Sequence, residues 1–117
     1  MSILEPLNEA EEAIAIKLAT NLKNFYCGKE KGIHGHKIVS GLKALGHADF
    51  TDIRLRKCVN WLRIKGYPIC SNTHYGYYWP SCEADVRECI KSNAERADGI
   101  LAANRGMLKG IVKVFAK

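Results

Sequence analysis

A chain of 117 residues, 47% of them hydrophobic, has single-domain length and enough apolar side chain to bury one core without disulfides or a metal. Its 18 Lys and Arg against 12 Asp and Glu leave a formal net charge of +6, which favours anionic partners. The five cysteines form no CxxC pair, the start Met1-Ser2-Ile3-Leu4-Glu5-Pro6 lacks a basic-then-apolar leader, and no apolar run has membrane-spanning length; a cytoplasmic protein with free thiols is expected.

The first predicted element is an amphipathic helix over residues 8–26, in which Ile14, Leu18, Leu22 and Phe25 recur at spacings of three and four. Asn8 followed by Glu11 has the spacing of a capping box, and the early glutamates suit the positive end of the helix dipole. Gly28 stops this helix, Lys29-Glu30-Lys31-Gly32 forms a polar loop, and Ile33-His34 is a candidate for a very short strand. A second helix is predicted over residues 36–45, with Ile38, Val39, Leu42 and Leu45 facing inwards and Gly46 placed for a left-handed C-terminal cap. After the turn His47-Ala48-Asp49-Phe50, Thr51 caps a third helix running to about Lys65, and Phe50 packs at its entry. Its inward face is Leu55, Cys58, Val59 and Leu62, which turns Arg54, Arg56, Lys57, Asn60 and Arg63 towards solvent.

Gly66 and Pro68 end that helix, and two β-prone runs, Tyr67–Ser71 and Gly76–Trp79, flank Asn72-Thr73-His74-Tyr75 as a hairpin. Ile69 with one or more of Tyr77, Tyr78 and Trp79 supplies its buried side. Tyr67 and Trp79 brace the hairpin on the helices, and Tyr75 stands near the tip. Ser81 or Cys82 precedes a last helix from about Glu83 to Ala116. Along it Val86, Ile90, Asn93, Ala97, Ile100, Asn104, Met107, Ile111 and Val114 alternate four and three apart, the pattern of a coiled coil or a helix pair. Such a seam either dimerises with its twin or folds back on the first helix. Gly99, Gly106 and Gly110 weaken it, and a break near Gly106 is one expectation.

Residues 35–79 resemble the winged helix-turn-helix superfamily, particularly small phage and prophage DNA-binding proteins. The resemblance is carried by Leu62-Arg63-Ile64-Lys65-Gly66-Tyr67-Pro68-Ile69, Ser71 and Gly76-Tyr77-Tyr78, and the N-terminal domain of the biotin-operon repressor has the same architecture. His34-Gly35 stands where Ser or Thr usually caps the second helix of that pattern. The resemblance implies a mainly α fold with a small β-hairpin, a winged-helix domain over residues 1–80 and a helical extension over 81–117. It also implies double-stranded DNA binding, sequence-specific or general, in transcription or in replication and recombination control. The helix over residues 51–65 would enter the major groove, and Asn72, Thr73, His74 and Tyr75 would touch the adjacent backbone or minor groove.

The placement of charge agrees with that implication. Residues 17–67 hold eleven Lys and Arg against three Asp and Glu, whereas the first sixteen residues hold four Glu and no base. Arg54, Lys57 and Asn60 are the foremost base readers, Arg56 and Arg63 share their face, and Lys37, Ser40 and Thr51 are placed for phosphates. The rival from another class is a winged-helix adaptor that grips a replication or packaging protein. A dimer through the C-terminal seam would favour a palindromic operator. No cofactor is implied, and His34-x-His36 with scattered cysteines lacks the close pairs of a zinc site. Nothing resembles a nucleophile elbow, a P-loop or paired catalytic carboxylates, so no enzyme activity is expected.

Overall fold

Four helices and one hairpin make up the regular structure of the described residues, 6–116, in the computed structural model. They are α1 (Glu9–Phe25), α2 (Gly35–Ala44), α3 (Asp52–Ile64), β1 (Cys70–Asn72), β2 (Gly76–Tyr78) and α4 (Glu83–Phe115), with a single 3-10 turn at Lys29–Lys31. The chain is thus mainly α with a small antiparallel hairpin and a long C-terminal helix, as the sequence predicts. Residues 1–5 and Lys117, which fall within the expected domain limits, lie outside the described residues.

The ends of α1, α2 and α3 follow from local chemistry. Asn8 Oδ1 accepts from the Glu11 N–H at 2.8 Å while Glu11 Oε1 accepts from the Asn8 N–H at 3.2 Å, closing the expected capping box. Thr51 Oγ1 accepts from the Arg54 N–H at 3.2 Å and starts α3. Both α2 and α3 stop in Schellman turns: His47 N–H donates to Leu42 O and Gly46 N–H to Lys43 O, then Tyr67 N–H to Leu62 O and Gly66 N–H to Arg63 O. Gly46 and Gly66 take positive φ in those turns, the conformation that an L side chain disfavours. The His34 side chain makes no cap bond to α2.

The core lies between α1, α2, α3 and the hairpin. Leu55, Cys58, Val59 and Leu62 of α3 are buried against Ile14, Ala15, Leu18, Ala19 and Leu22 of α1, Ile38 of α2, and Phe50 and Ile69 from the flanking segments. Each large aliphatic side chain buried in this way contributes on the order of 2 kcal/mol. Two expected core positions are corrected. Phe25 is 69% exposed because Tyr26, at the cap of α1, makes the core contact of the last turn. Leu45 is 80% exposed because α2 has already ended at Ala44 and Leu45 sits in the Schellman turn.

The hairpin is narrower than expected. Cys70, Ser71 and Asn72 pair with Tyr78, Tyr77 and Gly76, leaving Thr73-His74-Tyr75 as the turn. Ile33 bridges Tyr77, and Cys27 bridges Trp79, so the segment after α1 lies against the hairpin on both sides of the 3-10 turn. This close pairing is why residue 76 is glycine: its φ is positive, and a Cβ there would run into the carbonyl of Ile33. Ile69, Cys70, Gly76 and Tyr78 are buried in the hairpin region, while Tyr67 and Trp79 are half-buried and packed on the core, with Lys23 Nζ 5.9 Å from the centre of the Trp79 ring.

The described residues divide into two units, one ending at Val86 and the other beginning at Arg87. The division falls inside α4. The first turn of α4 is fastened to the preceding segment: Ser81 N–H and Oγ each donate to Asp85 Oδ2 at 2.9 Å, and the Cys70 thiol donates to Asp85 O at 3.7 Å. α4 is continuous to Phe115, with no break at Gly106. No helix of the described residues is long and apolar enough to cross a membrane.

Candidate nucleic-acid interface

α3 presents four distinct sides. Leu55, Cys58, Val59 and Leu62 are buried, and on the opposite side Ile53, Arg56, Asn60 and Ile64 are exposed at spacings of three and four. Between these sides lie two flanks whose cations already have protein partners.

On the flank towards α1, Lys57 Nζ is 3.6 Å from Glu11 Oε1 and Arg54 Nε is 4.0 Å from Glu11 Oε2. Glu11 is only 5% exposed, so its carboxylate depends on these two cations and on the Asn8 N–H in place of water. Arg54 Nη1 also meets Asp49 Oδ2 at 3.0 Å. Arg54 and Lys57 therefore join α3 to α1. Both side chains, expected to turn towards solvent, are 40% and 29% exposed and also engaged with Glu11. The Glu11 counterion was missed on charge counting alone. Its signal in the sequence is its position three, four and seven residues before Ile14, Ala15 and Leu18, on the buried stripe of α1.

On the other flank, Arg63 Nε donates to Ile69 O at 2.7 Å and Nη2 donates to Ser71 Oγ at 3.1 Å. Arg63 thus sews the hairpin to the last turn of α3. Asn72 is similarly engaged: its Oδ1 accepts from the N–H groups of His74 at 2.7 Å and Tyr75 at 3.3 Å, shaping the turn. The His74 and Tyr75 rings meet edge to face at 4.6 Å, with Thr73 and His74 exposed and Tyr75 half-buried.

Arg56, Asn60, Lys37, Ser40 and Thr51 remain exposed. Arg56 Nη2 pairs with Asp52 Oδ2 at 2.8 Å in an i,i+4 arrangement with both partners largely in water, a pairing worth about 0.3–0.5 kcal/mol. α2 carries Lys37 and Lys43 with no carboxylate of its own.

Burial, with the nearby Glu11 charge, pushes the Cys58 thiol up to about 11, and its Sγ donates to Glu11 O at 3.9 Å. Burial and the Asp52 charge likewise raise the Tyr77 hydroxyl above its ordinary value. The bonds from Ser81 hold the Asp85 carboxyl below the usual carboxylate range.

Comparison with protein-family models, curated proteins and solved structures finds no match to this chain. Among the described residues, no group of three or more His, Cys, Asp or Glu side chains is placed to hold a metal ion.

Proposed function

We propose that the chain binds double-stranded DNA in the manner of a winged helix-turn-helix, with α3 in the major groove, in transcription or in replication and recombination control. The observation that carries this reading is the exposed Arg56–Asn60 pair on a helix whose opposite side is locked into the core. An Arg offers two parallel donors to a guanine edge, and an Asn matches the donor and acceptor of adenine. Lys37, Ser40 and Thr51 supply phosphate contacts beside them, and Thr73 with His74 is placed for the backbone at the hairpin turn. Arg54, Lys57 and Arg63 act in this scheme by holding the helix and hairpin in place. Asp52 holds Arg56 weakly enough for a base or phosphate to replace it.

An electrophoretic shift with random duplex over a salt series tests the proposal. Arg56→Ala with Asn60→Ala, both at exposed positions, should weaken binding while leaving the urea midpoint unchanged. Lys37→Ala should lower the slope of log affinity against log salt by roughly 0.9. Absence of any shift at low salt overturns the reading. One observation favours the adaptor in replication or packaging as a second reading: Ile53 and Ile64, 75% and 50% exposed, share the outward stripe with Arg56 and Asn60. An adaptor leaves duplex DNA unbound at moderate salt, so the same series separates the two.

A further inference from the structure

In α4, Ile90, Ile100, Leu101, Met107, Leu108 and Ile111 are each between 53% and 73% exposed. A lone helix weakened by Gly99, Gly106 and Gly110 is marginal in water, so this apolar stripe needs a partner to persist. The charges of α4 indicate which partner. From Glu83 to Asp98 there are five acids and three bases, whereas beyond Asp98 the described charges are Arg105, Lys109 and Lys113, all basic. The helix dipole accounts for charge in the first and last turns. It does not account for Glu88, Glu95, Asp98 and Arg105, which lie well inside. A parallel twin would set acid beside acid and base beside base; a twin running the opposite way sets each acidic half against a basic half.

We propose that α4 pairs with α4 of a second copy of this chain in antiparallel register, centred between Asp98 and Gly99. Ile90 then faces Met107, Ala97 faces Ile100, and Asn93 faces Asn104, each from the opposite copy. Sliding the pair by one heptad either way sets Asn93 against Ile111 or Ala97 and leaves an amide facing an apolar side chain, which fixes the register. Asn93 Oδ1 accepts from Arg96 Nη2 at 2.6 Å, and its amide N–H group remains to donate to the second copy's Asn104. Leu101 and Leu108, one position beyond the seam, widen the buried strip. This pairing is independent of what α3 binds.

Sedimentation equilibrium of the full chain from low to high micromolar concentration should show a dimer. Ile100→Asp combined with Ile111→Asp should return it to monomer, with the fluorescence of Trp61 and Trp79 reporting that the first unit stays folded. Orientation is read by placing the photo-crosslinker benzoylphenylalanine at position 107 and mapping tryptic peptides from the dimer band. Attachment within residues 88–96 is expected. Attachment within residues 106–113 means a parallel pair and overturns the proposal, as does a monomer at every concentration.

Discussion

Glu11 illustrates how a single side chain redirects the reading of a charged surface. It caps its own helix, is almost fully buried, and gathers Arg54 and Lys57 of α3. Removing it strands two partly desolvated cations and one helix terminus. Glu11→Ala should therefore destabilise the protein by about 2–3 kcal/mol in urea unfolding, whereas Lys57→Ala alone should cost about 1 kcal/mol. Equal effects would refute the hub role. Counts of sequence charge place the basic excess correctly at α3. They cannot tell a cation facing solvent from one facing a buried carboxylate 46 residues earlier in the chain, because that depends on how α1 and α3 cross. Arg63 is placed among the base readers by the sequence for the same reason, since its partners Ile69 O and Ser71 Oγ come near only when the hairpin folds back.

Helix boundaries were legible nearly to the residue because caps are local chemistry. Asn8, Thr51, Gly46 and Gly66 each specify an end without reference to the rest of the fold. The hairpin was legible in kind and blurred in length, because its pairing depends on the approach of Ile33, a contact between distant segments. Gly76→Ala makes that dependence measurable. Positive φ and the clash with the Ile33 carbonyl together should cost about 2–4 kcal/mol, seen as a lowered urea midpoint. At the start of α4 the effect is one of pH. The Asp85 carboxyl is held low by Ser81, so its stabilisation is present above the ordinary Asp value of 3.8 and is lost as pH falls through the depressed value in the folded state. Asp85→Asn should lower the thermal midpoint at neutral pH and have little effect in strong acid; an equal loss at both would sink the assignment.

At the scale of the molecule, the sequence anticipates one folded unit and a helical tail, and the division at Val86 shows the first turn of α4 belonging to the former. Cys58 and Tyr77, both raised by burial, weaken that unit at high pH. Cys58 rises from 9.0 to about 11 in the folded state, so the stabilisation it represents is intact below pH 9 and disappears as pH climbs through about 11, with Tyr77 acting in the same direction. Urea midpoints should hold from neutral pH to 9 and fall above it, and Cys58→Ala should flatten that decline. The five cysteines carry one more consequence. Cys27 and Cys82 are exposed while Cys58, Cys70 and Cys89 are buried, so a brief pulse of alkylating reagent should add two labels to the intact protein. The remaining three become modifiable only when the fold opens, and the rate at which the heavier species accumulate in a mass spectrum would time that opening without any engineered probe.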